Sequence, residues 1–154
     1  MLEIYNMPGH YIRRMHQIAV SVFADRMARE GHDLTPVQFA AISAISCNPG
    51  IDQATLSGLI AYDRVTIGGV IDRLEHKGLV RRDVSKRDRR AKVLHLTDAG
   101  IREFEEMKTI VRSLQSDILV GLTPEEQTTF LNLMRKAADA GNKLSRAPLR
   151  INRD

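Results

Sequence analysis

Seven lysine and arginine side chains fall within twelve residues, from Arg81 to Lys92, together with only two aspartates. This basic segment carries a formal charge of +5, whereas the rest of the chain, with 16 basic and 17 acidic side chains, carries −1. β-Compatible runs lie on either side of it, at 78–80 and 93–96, so the segment is predicted to be the tip of a hairpin. Guanidinium and ammonium groups concentrated there suit the phosphates of a polyanion. The simpler alternative is a solvated, charge-rich turn.

Two short helices joined by a tight turn are predicted immediately before the hairpin. The first begins at Asp52 and runs roughly to Leu59, and the second follows Asp63. Lys77-Gly78 ends the second helix with a basic turn and a glycine cap. This pair is a candidate helix-turn-helix. The apolar positions of its second helix are expected to be Val65, Val70, Ile71 and Leu74.

The outward face of that second helix is predicted to be slender and mostly polar. Gly68 and Gly69 each cost roughly 1 kcal/mol inside a helix, so close approach to another surface should compensate for them. In a helix-turn-helix the first residues of the second helix meet base edges in the major groove, where arginine binds guanine and threonine contacts thymine. Alternatively, the glycines admit another helix of the same domain. The expected DNA contacts are Arg64, Thr66, Ile67, Gly68, Gly69 and Arg73.

In this arrangement the hairpin is a wing beside the helix-turn-helix. Arg89 and Arg90 at its tip are expected to enter the minor groove, which is narrow and electronegative in A·T tracts. The other basic side chains are expected to contact phosphates, which set affinity and salt dependence but carry little sequence information. They are Arg81, Arg82, Lys86, Arg87 and Lys92.

Apolar stripes predict further helices at both ends of the chain. One covers 11–30, and a second starts at Thr35-Pro36, whose hydroxyl and proline are typical of a helix start. A long helix starts at Thr97 or Asp98 and carries an apolar stripe as far as Ile118, and a last one starts at Thr123-Pro124. The predicted fold is therefore mainly α with a small β-hairpin wing (α+β), in one domain, 1–154.

The helices at the two ends, 1–33 and 98–144, flank the predicted winged helix-turn-helix of 34–97 and are strongly apolar on one face. Such faces need a surface to pack on, and the natural partners are each other and the same helices of a second subunit. A homodimer with two reading heads is expected, and a monomer that folds its ends together is the alternative. The polar, basic stretch 145–154 is expected to fray.

The composition argues against several other classes of protein. With 154 residues, of which 43% are hydrophobic and 27% charged, the chain fits one globular domain. No apolar stretch approaches the ~20 residues of a membrane span and no export signal is evident, so a cytoplasmic location without membrane attachment is expected. Cys47 is the only cysteine, and no Cys/His spacing fits a metal site, so neither metal nor cofactor is expected. No enzyme motif occurs.

Two runs of the sequence resemble the multiple antibiotic resistance regulator (MarR) family. DRRAKVLHLT (88–97) is similar to its wing, and VIDRLEHKGLVRR (70–82) looks like its recognition helix running into that wing. The helix order, the Thr-Pro helix starts and the Thr97-to-Gly100 run fit as well. The resemblance implies a homodimeric winged helix-turn-helix repressor that binds a palindromic operator in double-stranded DNA and is released by a small ligand or by oxidation. It also implies that Arg90 is the minor-groove arginine and that Asp88 orients it by a salt bridge.

Members of that family bind ligands between the dimerisation helices and the winged domain, and many respond to aromatic carboxylates or phenolic compounds. The start of the first helix here is unusually polar and resembles members that control aromatic-acid catabolism. Adjacent arginines point about 100° apart on a helix, so one of the pair is expected to face inward and grip a carboxylate. A solvated basic face or an intersubunit salt-bridge cluster is the alternative. The expected ligand-binding residues are His10, Tyr11, Arg13, Arg14 and His16.

Two other functions compete with a ligand-controlled regulator. A redox switch would use Cys47, but a sensor thiol should be exposed and beside cations, whereas Cys47 is expected to be a buried structural thiol near a helix end. A nonspecific architectural DNA-binding protein would need only the basic wing. A repressor differs from it in preferring its operator by roughly 10³ or more.

Overall fold

The computed structural model describes residues 2–85 and 91–151. After a 3₁₀ turn at Glu3–Asn6, helix α1 spans Pro8–Glu30 and ends at Gly31, whose φ of 79° is the left-handed conformation of a glycine cap. Helix α2 spans Pro36–Cys47. Thr35 caps it: its hydroxyl accepts from the Gln38 backbone N–H, and its own N–H donates to Gln38 Oε1 at 2.9 Å. This capping box confirms the predicted helix start.

The helix-turn-helix consists of α3, Gln53–Leu59, and α4, Arg64–His76. An aspartate caps each helix, Asp52 for α3 and Asp63 for α4. Strand β1, Val80–Val84, then pairs antiparallel with β2, Lys92–Leu96, with Val80 opposite Leu96 and Val84 opposite Lys92. The predicted hairpin is confirmed. A short bridge adds the loop after α2 to this sheet, because Leu94 exchanges backbone hydrogen bonds with Gly50 and Ile51.

Helix α5 spans Asp98–Ser113 and is capped by the Thr97 hydroxyl. The predicted stripe continued to Ile118, but the helix breaks at the fully buried Leu114, and the short helix α6, Gln115–Ile118, follows. Helix α7 spans Pro124–Gly141 and leads into a 3₁₀ turn at Asn142–Leu144. The architecture is mainly helical with a two-stranded wing, as predicted.

The core lies where α2, α3, α4 and α5 meet the base of the hairpin. Its fully buried side chains form one cluster across these elements: Ile42, Ile45, Leu56, Ile67, Val70, Ile71, Leu74, Val80, Leu94, Met107 and Leu114. The aromatic rings of Phe23, Phe39 and Phe104 extend this core toward α1 and α5, with centroids 5.9–6.4 Å apart. The core therefore fixes α4 on one side and leaves its opposite side in solvent.

The outer helices are not covered within one chain. Helix α7 has no buried residue, and apolar side chains stand in solvent along it and along the first half of α1. Among the described residues these exposed side chains include Ile12, Ile18, Val20, Leu131, Leu133 and Met134. The homodimer stays a prediction, and this is the surface that it would cover. No described helix is long and apolar enough to cross a membrane.

The stretch after α7 is held in place up to residue 151. Both amide atoms of Asn142 hold Leu149: Nδ2 donates to the Leu149 carbonyl at 2.9 Å, and Oδ1 accepts from its N–H at 2.7 Å. The Arg150 N–H then donates to the Gly58 carbonyl of α3 at 2.8 Å. The expectation of a frayed tail was wrong for residues 145–151, because side-chain and backbone hydrogen bonds fasten the segment to the helix-turn-helix.

Candidate nucleic-acid interface

The first turn of α4 is built around its capping aspartate. Asp63 Oδ1 accepts from the Thr66 N–H at 2.9 Å, and Oδ2 accepts from the Thr66 hydroxyl at 2.5 Å. These hydrogen bonds lower the pKa of Asp63, and the one from the Thr66 side chain has the largest effect. The Thr66 hydroxyl therefore donates its only proton to Asp63. Its oxygen can still accept a hydrogen bond from a base edge, but the hydroxyl cannot donate one.

The outward side of this first turn differs from the predicted set at two positions. Ile67 was expected to face DNA, but its side chain is fully buried, because Ile67, Val70, Ile71 and Leu74 form the i, i+3, i+4, i+7 stripe of α4. Val65 was expected in the core, yet it is 87% exposed. Arg64, Val65 and Thr66 therefore form the exposed first turn, in which Val65 offers an apolar contact of the kind that thymine methyl groups accept.

The two glycines of α4 leave its surface open. A Cβ at Gly69 would meet nothing within 4 Å, and one at Gly68 would approach only the flexible Gln53 amide, at 3.4 Å. Among the described residues no other helix packs against Gly69, and at Gly68 only the Gln53 side chain of α3 comes near. The backbone of α4 is accessible there to an external surface, and Arg73 lies exposed further along the helix.

Arg82 links the recognition helix to the wing. Its guanidinium donates to Asp72 Oδ1 at 2.5 Å and also to Glu75, both on α4, and only 20% of its side chain is exposed. Burial lowers the pKa of Arg82, but the hydrogen bonds and charges of the two carboxylates outweigh burial and raise the pKa. The phosphate contact of Arg82 stays a prediction, and in the free chain both carboxylates already neutralise its charge. Arg81 likewise pairs with Asp83, at 2.5 Å.

The base of the wing is fastened to the start of α5. The Thr97 N–H donates to the Leu79 carbonyl at 3.1 Å, and the Thr97 hydroxyl donates to the Gly78 carbonyl at 2.6 Å. Gly100 in the first turn of α5 comes so close that a Cβ would lie 2.0 Å from the Leu79 oxygen. Sequence reasoning missed this constraint, although a glycine in the first turn of a helix was a visible sign of it.

The hairpin stays paired up to its tip, where the Ser85 N–H donates to the Ala91 carbonyl at 2.8 Å. Lys92 is exposed beside that end of the sheet. The remaining predicted wing contacts, namely Lys86, Arg87, Asp88, Arg89 and Arg90, lie outside the described residues. Their roles stay predictions.

The predicted ligand-binding residues lie together on the first turns of α1, and none of them lines the cavity between α2 and α5. His10 is half-buried between the rings of Tyr5 and Tyr11, with centroids 5.5 Å away on each side. Arg13 donates to Gln17 at 2.7 Å. Arg14 and His16 are exposed.

A cavity of about 530 Å³ instead lies between α2 and α5. The rings of Phe39 and Phe104 contribute its aromatic wall, and Lys108 and Arg112 contribute cations. Lys108 Nζ lies 5.7 Å from the Phe104 ring centroid and pairs with Glu105 at 3.2 Å. Aromatic walls beside cations are suited to an aromatic anion. The sequence analysis did not identify this cavity, because its walls come from helices about 60 residues apart.

Cys47 lies on the rim of the same cavity and is exposed. The expectation of a buried thiol was wrong, because the last turn of α2 turns Cys47 away from the stripe that buries Ile42 and Ile45.

One group of described side chains has atoms close enough to hold a metal ion. The ligand atoms of His32, Glu103 and Glu106 lie within 4.8 Å of one another. His32 Nδ1 is already 2.9 Å from Glu103 Oε1, in a hydrogen bond that joins the loop after α1 to α5. This direct contact accounts for the cluster without a metal.

Comparisons with known proteins agree with this geometry. The MarR family model matches residues 34–92, which contain the helix-turn-helix and the first strand of the wing. The transcriptional regulator HosA from Escherichia coli O111:H- is 33% identical over 139 residues, which are 90% of this chain and 100% of that one.

Solved structures match nearly the whole chain. PcaV from Streptomyces coelicolor, in complex with its natural ligand, has a TM-score of 0.82 at 30% identity and covers 92% of this chain and 98% of that one. Bordetella bronchiseptica BpsR, whose DNA binding is regulated by 6-hydroxynicotinic acid, has a TM-score of 0.83 at 27% identity, and the match covers 90% of this chain and 98% of that one. A variant of Escherichia coli MarR complexed with operator DNA has a TM-score of 0.79 at 25% identity, and the match covers 89% of this chain and 98% of that one. The chain therefore belongs to the MarR family of winged-helix, DNA-binding transcriptional regulators, and it is a regulator rather than an enzyme.

Proposed function

We propose that this protein is a repressor that binds a palindromic operator as a homodimer and is released by an aromatic acid. The observation that carries DNA recognition is the open face of α4: an exposed first turn at Arg64, Val65 and Thr66, followed by two glycines that leave the helix backbone without side-chain cover. The N-terminal residues of a recognition helix read base edges in the major groove. A two-fold dimer would present two such helices to two half-sites, and the uncovered apolar faces of α1 and α7 supply the surface for it.

Two places in the chain are candidates for the effector site. The cavity between α2 and α5 combines aromatic walls with Lys108 and Arg112, and α5 leads directly into the base of the wing. The start of α1, with Arg13 and Arg14, is complete only if a second subunit or another element closes it. BpsR, whose DNA binding is regulated by 6-hydroxynicotinic acid, supports an aromatic acid as the class of effector, and PcaV, solved in complex with its natural ligand, supports a bound effector.

The test is a titration of the purified protein with the intergenic DNA beside its own gene, in excess competitor DNA, with a panel of aromatic acids that includes 6-hydroxynicotinic acid. A discrete complex that one acid dissociates is the expected result. A complex that competitor DNA removes would indicate a nonspecific DNA-binding protein and refute the repressor.

Variants then distinguish the two effector sites. If the cavity is the site, Arg112→Ala should keep operator binding and lose release by the acid, while Arg13→Ala and Arg14→Ala stay inducible. The reverse result would place the acid at the start of α1. Because Cys47 is exposed, the same titration is repeated with peroxide in place of the acid. If peroxide releases the DNA from wild type but not from Cys47→Ser, the redox alternative is favoured.

A further inference from the structure

We propose that the C-terminal segment 145–151 is a third DNA-contacting element, in which Arg146 and Arg150 bind backbone phosphates beside Arg64. This inference rests on the proposed operator binding, and it assigns DNA contacts to a part of the chain outside the helix-turn-helix and the wing.

The segment has a fixed place on α3. Its backbone is held at Leu149 by both amide atoms of Asn142 and at Arg150 by the Gly58 carbonyl. Ala147, Pro148 and Leu149 are half-buried, whereas Arg146 and Arg150 are exposed. The apolar residues thus face the protein, and the two arginines point into solvent.

Gly58 is the residue that admits Arg150. A Cβ at Gly58 would lie 3.1–3.4 Å from the Cβ, Cγ and Cδ atoms of Arg150, so the arginine stem lies directly on the backbone of α3. The stem packs while the guanidinium remains in water, as is usual for arginine at a surface.

The three guanidiniums converge on one part of the surface. Arg64 and Arg150 line a cavity of about 230 Å³ together with Ala54 and Thr55 of α3. An adjoining cavity of about 170 Å³ is lined by all three arginines.

None of these arginines forms an ion pair within the part of the chain that the structure describes. Asp63 also lines the second cavity, but both of its carboxylate oxygens accept hydrogen bonds from Thr66. Three guanidiniums without carboxylate partners around one groove favour a multiply charged anion.

The position of the groove identifies this anion as DNA. In a helix-turn-helix the first helix crosses the sugar-phosphate backbone while the start of the second helix enters the major groove. Arg64 is the first residue of α4, and Arg150 lies on α3 next to it. A group on α3 beside the start of α4 therefore meets the phosphates that flank the groove, not the bases.

The experiment measures binding to two fluorescent duplexes, one with the operator and one with a random sequence, across a KCl series. It compares wild type with the double variant Arg146→Ala/Arg150→Ala. Each lost phosphate contact reduces the slope of log K against log salt by about 0.9. In a homodimer the double variant removes four arginines, so the slope should fall by up to about 3.6, with affinity at least roughly tenfold lower near 0.1 M salt. The preference for operator over random sequence should stay unchanged, because phosphate contacts carry little sequence information.

A matched control removes the same charge elsewhere. Arg29→Ala/Arg135→Ala replaces two exposed arginines, on α1 and α7, and should leave the slope close to that of wild type. An equal loss in both double variants would reduce the effect to net charge and overturn the inference. So would a slope and affinity for Arg146→Ala/Arg150→Ala that match wild type.

Two further variants separate charge from position. Arg150→Lys keeps the charge and should retain most of the slope. Asn142→Ala keeps both arginines but releases Leu149, and it should weaken binding because the segment loses part of its attachment. Wild-type binding by Asn142→Ala would mean that the hold on Leu149 does not position the arginines, against the inference.

Both duplexes are needed to keep this inference distinct from the proposed function. If wild type binds operator and random DNA alike, the repressor is refuted while the salt slopes still test the C-terminal arginines. If operator preference is strong and the slopes are equal, only the C-terminal contact fails.

Discussion

Replacing Gly100 with alanine is expected to destabilise the fold, because the added Cβ would lie 2.0 Å from the Leu79 oxygen and 2.9 Å from its carbonyl carbon. An ordinary carbon–oxygen contact is about 3.3 Å or longer, so the start of α5 and the turn after α4 must separate by roughly 1 Å. That movement pulls on the hydrogen bond from the Thr97 N–H to Leu79.

The magnitude follows from the contacts involved. Forcing a methyl group into a packed site costs about 1–3 kcal/mol, and a lost backbone hydrogen bond costs about 1 kcal/mol more. Alanine's better helix propensity offsets at most about 1 kcal/mol. With that offset in full, a net loss of about 1–3 kcal/mol in the free energy of unfolding is expected, which for a chain of this size lowers Tm by roughly 2–12 °C.

The assay is thermal and urea unfolding, followed by circular dichroism at one fixed protein concentration, because the Tm of the proposed dimer would depend on concentration. Gly69→Ala is the matched control: its Cβ meets nothing within 4 Å, so only the helix propensity changes, and stability should rise slightly. A Gly100→Ala protein as stable as wild type would refute the close approach of α5 to Leu79.

Two other variants test a helix cap and the wing, and a labelling experiment tests the thiol. Asp52→Ala should cost about 1 kcal/mol, because the Asp52 carboxylate caps α3. Its hydrogen bonds, that from the Thr55 side chain first, lower its pKa below the ordinary 3.8, so the contribution is present above pH ~3.8 and lost as pH falls further; a pH-independent difference in urea unfolding would contradict this. Arg82→Gln should weaken operator binding without changing the salt slope, since Arg82 pairs with Asp72 and Glu75; a slope lower by about 1.8, from two contacts per homodimer at about 0.9 each, would make it a phosphate contact. Cys47 should react fully with a thiol reagent in the native protein, and slow reaction would mean that a subunit contact covers it.

Local signals in the sequence were sufficient for the elements of the fold. The helix starts at Thr35, Asp52 and Thr123 depend on a side chain and the backbone within three residues, so the sequence alone predicts them. The hairpin was likewise recognisable from two short apolar runs around a charged segment.

The side chains that face outward were harder to predict. Val65 and Ile67 are both β-branched and two positions apart, and only the phase of the complete stripe, from Ile67 to Leu74, decides which one is buried. The place of residues 145–151 depends on Asn142 and Gly58, which are 84 positions apart in the sequence. Composition indicates a basic, polar tail but carries no information about such a distant contact.

The attachment of α5 to the turn after α4 makes this helix a lever. Its 16 residues extend about 24 Å from the base of the wing toward the outer helices. A tilt of about 5° about its far end would move the start of the helix, and with it the helix-turn-helix and the wing, by roughly 2 Å. Half-sites on a duplex are spaced by its helical repeat of about 34 Å, so in the proposed dimer two recognition helices that move in opposite directions would change their separation by about a tenth. A molecule that wedges α2 away from α5 would act on this angle without touching DNA.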